Sequence, residues 1–184
     1  MTDKHADFTE TTVSSEVVYR GGFFEVFRDE IRRPDGKPAV REYIRHPGAV
    51  MMVPLLDART VILVRQFRYP LRRHFIEVPA GKMEPGEDPL ATARRELVEE
   101  CGYEAASWQH VTTLHPCIGY SDERIEFYLA RDLTHVGSGP EDGEFLEVLP
   151  TPIDQALEWV RPGAITDVKA IIGLMWLDRM LRAV

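Results

Sequence analysis

The stretch GKMEPGEDPLATARRELVEECGY, residues 81–103, decides the fold that this sequence predicts. It begins with a glycine turn and a loop, and it continues as a helix with a signal at each end. Asp88 is suited to the N-cap and Pro89 to the first helical position, while Gly102 is suited to the left-handed residue that ends a helix. The sequence therefore predicts a helix from Pro89 to Cys101.

Helical spacing divides this predicted helix into an apolar side and an acidic side. The apolar side holds Leu90, Ala93, Leu97 and Cys101, and the acids opposite it are Glu96, Glu99 and Glu100. Like charges three or four residues apart repel, and the helix macrodipole disfavours negative charge in the last turn. Two local rules are broken together, which indicates a functional site. A solvated acidic face is the alternative in an acidic chain.

The spacing of these residues resembles the Nudix box of the Nudix hydrolases. The pattern is Gly81, five residues, Glu87, seven residues, REL at 95–97, one residue, EE at 99–100, one residue, and GY at 102–103. All nine signature positions match. The resemblance covers roughly residue 49 to the C-terminus. It implies an α/β (α+β) fold, the Nudix-type α/β/α sandwich with a mixed β-sheet, and metal-dependent hydrolysis of a pyrophosphate bond.

Length and composition narrow the class of protein. The chain has 184 residues, enough for one domain with a sizeable core. Its net charge of -8 disfavours binding to nucleic acids or anionic membranes, because their phosphates would be repelled. Its two cysteines, Cys101 and Cys117, fit a reducing compartment. No apolar run is long enough for a membrane span, so we expect a soluble cytoplasmic protein.

The pattern along the chain predicts three parts. Residues 1–15 are polar and are expected to form a disordered tail. Residues 16–47 alternate apolar and polar positions around the turn sequence PDGK at 34–37, which predicts an N-terminal β-hairpin. A hairpin alone buries little, so we expect it to pack on a second subunit or, equally compatible with the pattern, on its own domain. Residues 48–184 form the predicted Nudix hydrolase domain.

The resemblance assigns the box acids to a metal site. Hydrolysis of a pyrophosphate requires neutralisation of its charge, an attacking water and a group that accepts the proton of that water. Carboxylate and carbonyl oxygens are suited to Mg²⁺, for which Mn²⁺ can substitute. The expected ligands are Glu96, Glu99, Glu100 and, by similarity to the family, the backbone carbonyl of Ala80. By the same similarity, Glu87 and Arg95 pair and brace the loop against the helix.

The general base is left open between three acids. In the branch that the chain resembles, the base lies on a loop well downstream of the box, which here contains GPEDGEF at 139–145. Glu144 is favoured because the preceding Gly143 can act as a hinge, and Glu141 is second. Glu99 of the box is an alternative base. A solvated acidic loop is the non-catalytic interpretation of the same segment.

Two segments before the box helix resemble those of the ADP-ribose and nucleoside diphosphate sugar pyrophosphatases. They are RQFR at 65–68 and EVPAG at 77–81. The resemblance implies that Arg68 clamps a phosphate, a task suited to the guanidinium fork. Arg41, in REYIRHPGA, resembles an arginine that lies near the base or the phosphates in that branch. A paired arginine on a strand surface is the alternative interpretation of Arg41.

The segment CIGYSDE, residues 117–123, resembles a further motif of this branch, S-P-G-[FY]-x-x-E. The glycine, the aromatic Tyr120 and the glutamate are present, which implies that Tyr120 contacts the substrate. The proline is absent, since Ile118 stands in its place. This departure argues against strict ADP-ribose specificity and favours a broader or shifted preference among nucleoside diphosphate sugars.

Together these residues predict a Nudix pyrophosphatase. The expected reaction converts ADP-ribose, GDP-mannose or a similar nucleoside diphosphate sugar to a nucleoside monophosphate and a sugar phosphate. The resemblance also implies a homodimer. Two alternatives remain open: a sensor that binds a nucleotide sugar without cleaving it, and a housecleaning pyrophosphatase that acts on nucleoside triphosphates. The complete set of box carboxylates disfavours the sensor, and the RQFR segment disfavours the triphosphate substrate.

Overall fold

The computed structural model describes residues 6–137 and 145–182. The chain divides into two compact units. The first contains the chain up to Pro47 together with His115–Arg124, and the second contains Gly48–Leu114 and the chain from Ile125 onward. Within the described ranges, no helix has the length and apolar character needed to cross a membrane.

The first unit is built on a three-stranded antiparallel sheet. Its strands are β1 (Thr11–Arg20), β2 (Glu25–Arg32) and β3 (Pro38–Arg45), in the order β1-β2-β3. Alternate residues of β2, namely Phe27, Asp29 and Ile31, are buried. This period of two is typical of a sheet with one covered face. The turn between β2 and β3 contains Gly36 with a φ of 80°, a left-handed conformation that glycine adopts without steric cost.

The first unit differs from two sequence predictions. The predicted disordered tail is wrong for residues 11–15, which belong to β1, and the predicted hairpin is a three-stranded sheet. Only Val17 of the ten β1 residues is even partly buried. The strand is held by its backbone pairing with β2 rather than by burial of its side chains. A hydrophobic pattern therefore does not reveal it.

The segment His115–Arg124 is attached to β3 by hydrogen bonds. The Ile44 N–H donates to the Tyr120 carbonyl at 2.8 Å, and the Asp122 N–H donates to the Ile44 carbonyl at 3.1 Å. The His46 N–H donates to Asp122 Oδ1 at 2.8 Å. The predicted substrate loop therefore belongs to the first unit, although it follows the box helix in the sequence.

The second unit contains two sheets and three α-helices among its described residues. Its strands are β4 (Ala49–Pro54), β5 (Thr60–Arg68), β6 (Arg73–Glu77), β7 (Ala80–Lys82), β8 (Tyr103–Leu114), β9 (Ile125–His135) and β10 (Leu146–Pro152). Its helices are α1 (Pro89–Cys101), α2 (Ile153–Val160) and α3 (Val168–Leu181). One sheet has the order β7-β4-β9-β8, in which β4 and β9 are parallel, and the other has the antiparallel order β10-β5-β6. The predicted mixed sheet is confirmed.

β4 lies at the centre of the core, and all six of its residues are buried. Met51 and Val53 pack in a cluster with side chains of α2 and α3, whereas Val50 and Met52 pack in a cluster with side chains of α1. Helices therefore cover both faces of this sheet, as the predicted α/β/α arrangement requires. The burial of α1 against the sheet also brings the end of the box helix next to the edge strand β7.

α3 approaches β4 closely at Gly173. A Cβ atom at this position would lie 2.9 Å from Val53 Cγ2 and 3.2 Å from Met51 Cε. Contacts that short require the neighbouring atoms to move, so a residue without a side chain allows the helix to lie this near the strand. The close packing positions the N-terminal turn of α3, which contributes a charged cluster described below.

Candidate active site

α1 begins and ends where the sequence predicts. The Asp88 carboxylate accepts a hydrogen bond from the Ala91 N–H at 3.0 Å. Gly102 has a φ of 74°, and its N–H donates to the Val98 carbonyl at 2.9 Å. The predicted apolar side is confirmed by the burial of Ala93, Leu97 and Cys101. Both ends of the helix are therefore set by the local signals that the sequence carries.

The predicted acidic side is correct for two acids and wrong for the third. The Glu96 and Glu99 side chains are 13% and 26% exposed. Glu100 is buried, and its Oε2 accepts a hydrogen bond from the Ala80 N–H at 3.0 Å. A buried carboxylate is tolerated here because the edge strand β7 supplies this partner.

Gly81 lies within β7, opposite Val50 of β4, and not in the glycine turn that the sequence predicts. Its role is steric. A Cβ atom at position 81 would lie 1.9 Å from both Cδ and Oε1 of Glu96. The Glu96 carboxylate therefore fills the space that any side chain at this position would need, and the box requires glycine for that reason.

Arg95 pairs with three carboxylates at once. Its Nη1 donates to Glu96 Oε1 at 3.0 Å and to Glu99 Oε2 at 2.8 Å, so one nitrogen joins both acids. Its Nε and Nη2 each donate to Glu87 at 3.3 Å, as the sequence predicts for this pair. The Arg95 hydrogen bonds lower the pKa of Glu87 to about 2, and the Glu87 carboxylate in turn raises the pKa of Arg95. Arg95 is the cation that neutralises this end of α1.

The donor set at this end of α1 fits a hard divalent cation, because it consists of carboxylate and carbonyl oxygens. In the ranges that the structure describes, no three acidic, histidine or cysteine side chains are placed to hold one ion together. Arg95 Nη1 holds Glu96 and Glu99, and Ala80 N–H holds one oxygen of Glu100. Arg95 now supplies the positive charge next to Glu96 and Glu99. A metal ion that bound these acids would supply that charge instead.

A second charged cluster joins β5, β6 and α3. Arg68 Nε and Nη2 donate to the two oxygens of Glu77 at 2.7 Å each, and Lys169 Nζ donates to Glu77 Oε2 at 3.3 Å. Lys169 Nζ also donates to Asp167 Oδ1 at 2.7 Å. Sequence reasoning identified Arg68 alone. The glutamate of EVPAG stood in a segment noted above, but its pairing with Lys169 depends on the packing of α3 and has no local sequence signal.

Burial and neighbouring positive charges shift the pKa of Glu77 in opposite directions. Burial alone would raise the pKa of Glu77, but the hydrogen bonds from Arg68 and the charge of Lys169 outweigh it and leave that pKa below its usual value. The hydrogen bonds to Glu77 raise the pKa of Arg68, and the Glu100 charge adds to this effect. Of the three box acids, Glu100 is the one whose charge acts on Arg68 in this way.

The other predicted substrate residues lie in the first unit. Arg41, on β3, directs its Nε to Glu10 Oε2 at 2.9 Å and its Nη2 to the other oxygen of the same carboxylate. The Tyr120 hydroxyl donates to Cys117 Sγ at 3.1 Å, and the Tyr120 side chain is largely exposed. The two predicted bases of the downstream loop, Glu144 and Glu141, lie outside the described residues.

The chain matches two known domains and is similar to curated proteins over most of its length. Residues 45–173 match the NUDIX domain, and residues 10–44 match the nucleoside diphosphate sugar hydrolase N-terminal domain. A methanol dehydrogenase activator of Bacillus methanolicus is 34% identical over 173 residues, which cover 93% of this chain and 94% of that protein. An ADP-ribose pyrophosphatase of Bacillus subtilis (strain 168) is 35% identical over 171 residues, which cover 92% of each.

A solved structure supports the fold. The crystal structure of an ADP compounds hydrolase has a TM-score of 0.85 to this chain at 22% identity. The superposition covers 97% of this chain and 98% of the other. The likeness therefore extends over both units and concerns the architecture of the chain.

If the acids at this end of α1 hold a divalent cation, Gly81→Ala is expected to lower the affinity for Mg²⁺, used as the probe, by about tenfold or more while it changes the thermal unfolding midpoint little. The added methyl group displaces the Glu96 carboxylate, and because that group ends a flexible side chain it can swing away at small cost to stability. Isothermal titration with Mg²⁺ and thermal unfolding measure the two effects. Gly22→Ala is the control, because a Cβ there would meet nothing within 4 Å. Unchanged Mg²⁺ affinity in Gly81→Ala would remove Glu96 from the metal site.

Proposed function

This chain belongs to the Nudix hydrolase family, and we propose that it hydrolyses the pyrophosphate bond of a nucleoside diphosphate sugar. The products are a nucleoside monophosphate and a sugar phosphate. The observation that carries the proposal is the joint match of a Nudix domain and a nucleoside diphosphate sugar hydrolase N-terminal domain, which together extend over residues 10–173. The intact set of box carboxylates supports hydrolysis rather than binding alone.

ADP-ribose is the first substrate to consider, and GDP-mannose or a related nucleotide sugar is the second. The RQFR and EVPAG segments support this class, as does the name of the Bacillus subtilis relative. Ile118 occupies the place of a proline in the substrate loop, which supports a preference broader than ADP-ribose. Relatives of nearly equal identity carry different names, so overall likeness does not select the sugar.

Mg²⁺ is the proposed metal, and Mn²⁺ can take its place. The residues that would hold it are Glu96, Glu99, Glu100 and Ala80, the last through its carbonyl oxygen. When bound, the ion supplies charge neutralisation for the diphosphate and lowers the pKa of a coordinated water. Arg95 then keeps its bonds to Glu87 and continues to hold the loop before α1 against the helix.

The remaining tasks fall to side chains of the chain itself. Glu144 is the favoured general base, and its carboxylate accepts the proton of the attacking water. Glu141 is the second candidate, and Glu99 is the alternative within the box. Arg68 binds a phosphate through the part of its guanidinium group that Glu77 leaves unused. Arg41 and Tyr120 contact the nucleotide or the sugar, and Arg41 must then leave the Glu10 carboxylate that it binds in this structure.

The first unit supports a homodimer. β1 is ten residues long, pairs with β2 on one side, and lies at the edge of its sheet. Val13, Val18 and Tyr19 on this strand are at least half exposed. An exposed edge strand with apolar side chains can pair with a strand of another chain. We propose that a second copy of this chain covers β1.

The reaction is tested with ADP-ribose, GDP-mannose and UDP-glucose in the presence of Mg²⁺, with products separated by chromatography. The wild-type protein is expected to release a nucleoside monophosphate and a sugar phosphate from at least one of them. Glu100→Gln is expected to lose about 100-fold or more in turnover, because a metal ligand is neutralised. Glu104→Gln, an exposed acid on β8, is the control. Full turnover in Glu100→Gln, or a preference for dGTP over all three sugars, contradicts the proposal.

A second experiment separates the base from the metal ligands. Glu144→Gln is expected to lower kcat by about 10²–10⁴-fold and to leave Mg²⁺ affinity unchanged, because a general base does not hold the ion. Glu99→Gln is expected to lower the affinity as well. Single-turnover kinetics and Mg²⁺ titration give both quantities, with Glu141→Gln measured in parallel. Normal kcat in Glu144→Gln together with loss of kcat in Glu141→Gln would assign the base to Glu141.

For the dimer, light scattering of the wild-type protein is expected to give twice the chain mass of 21.0 kDa. Val18→Lys is expected to shift the mass to a single chain, because it removes apolar surface and adds charge on the edge strand. Thr12→Lys adds the same charge to the same strand without removing apolar surface, and serves as the control. A monomeric wild-type protein at micromolar concentration would refute the dimer.

A further inference from the structure

Among the described residues, Glu77 is the least exposed acidic residue, at 2%. Both of its oxygens accept from Arg68, and one of them also accepts from Lys169. A carboxylate this deeply buried is costly to keep charged unless its partners are fixed. Glu77 also ends β6, three residues before the carbonyl of Ala80 that we assign to the metal site.

Arg68 and Glu77 lie on neighbouring strands but are not directly opposite each other. The register pairs Glu77 with Val64, while Arg68 lies four residues further along β5 and pairs with Arg73. The Arg68 side chain therefore runs back over the sheet, away from the tip of the β5–β6 connection. An unpaired arginine in this place would sample many rotamers, and the two hydrogen bonds to Glu77 select one of them.

The remaining surface of Arg68 is available to a ligand. A guanidinium group has five N–H donors, and Glu77 takes one at Nε and one at Nη2. The Arg68 side chain is 42% exposed, in contrast to the buried carboxylate behind it. The other three N–H donors have no hydrogen-bond partner among the described residues, and donors on a planar group of fixed orientation suit the oxygens of a phosphate.

Lys169 holds Glu77 from the other side, and Asp167 holds Lys169. Asp167 caps α3 by accepting from the Ala170 N–H at 2.9 Å, and its other oxygen accepts from Lys169. The Lys169 side chain is 17% exposed and thus mostly enclosed between its two acids. The N-terminus of α3 is in this way linked through Glu77 to Arg68. A buried ion pair that served stability alone would gain little over apolar residues of the same volume.

We propose that Glu77, itself held by Lys169, is a positioning residue that orients Arg68 toward the diphosphate of the substrate. The inference rests on the proposed function, and it assigns to Glu77 and Lys169 a role exerted through Arg68 and not through direct contact with the reacting atoms. It predicts that the contribution of Glu77 to substrate binding disappears when Arg68 is absent.

A double-mutant cycle tests this dependence. KM and kcat for ADP-ribose with Mg²⁺ are measured for the wild type, Glu77→Gln, Arg68→Ala and the double variant. Glu77→Gln is expected to raise KM by about tenfold in the wild-type background, because the Arg68 side chain is then no longer held in one orientation. In the Arg68→Ala background the same substitution is expected to raise KM by less than about twofold. Equal effects in both backgrounds would overturn the inference, because a merely structural role is additive.

Substitutions of Lys169 test the inference even if Glu77→Gln does not fold. Lys169→Met keeps both members of the Arg68–Glu77 pair but removes the hydrogen bond from Lys169 that holds Glu77, so it is expected to raise KM only when Arg68 is present. Lys169→Arg keeps a charged donor and is expected to leave KM near the wild-type value. Glu147→Gln is the matched control and is expected to leave KM unchanged. Glu147 lies on β10 and forms an ion pair at 3.5 Å with Arg65, which is on β5 like Arg68. A rise of KM in Lys169→Met that persists in Arg68→Ala contradicts the inference even if Glu77→Gln fails to fold.

Failure of the proposed function can be told apart from failure of this inference. If the wild type cleaves none of the three nucleotide sugars, the proposed function fails, and the same cycle is measured as the binding of ADP by calorimetry. Weaker binding in Glu77→Gln that vanishes in the Arg68→Ala background still supports positioning. Equal binding by all four proteins, or no binding of ADP to the wild type, overturns it.

Discussion

Mutual repulsion of three carboxylates near the end of one helix is the constraint on which this structure depends. Glu96, Glu99 and Glu100 repel one another and are disfavoured by the helix macrodipole, so a partner for each acid stabilises α1. Arg95 provides one nitrogen to two of them, and the Ala80 N–H provides for the third. The helix that carries the chemistry is therefore tied to the edge strand β7, and the rest of the second unit keeps the two together.

Charged groups at the start of α3, on the other face of the sheet, also have partners within the protein. Val50 and Met52 hold α1 against one face of β4, while Gly173 allows α3 to pack closely on the other. At the start of α3, Lys169 reaches Glu77, whose carboxylate holds Arg68. The acids assigned to the metal and the arginine assigned to phosphate are thus each neutralised within the protein. A metal ion bound by the box acids would replace Arg95 at Glu96 and Glu99, whereas Arg68 would bind a phosphate and keep its hydrogen bonds to Glu77.

Much of the fold and part of the site could be predicted from the sequence. The bounds of α1 follow from Asp88 and Gly102, which act on adjacent backbone groups and need no tertiary context. β1 was missed because its side chains are almost all exposed and its pairing is a matter of backbone alone. The burial of Glu100 was missed because helical spacing says which acids share a side, but not where the nearest sheet edge lies.

The sequence by itself determined the helix, its caps and the order of acids on it, because these depend on residues within one or two turns of each other. That order resembles the Nudix box, and the match of residues 45–173 to the NUDIX domain agrees with the resemblance. Only the tertiary structure decided why position 81 must be glycine, and that Glu77 joins Arg68 to Lys169. Glu77 and Lys169 lie 92 residues apart along the chain, while Arg68 and Glu77, like Gly81 and Glu96, lie on different elements. These residues meet because strand pairing and the packing of α1 and α3 on β4 bring their backbones together.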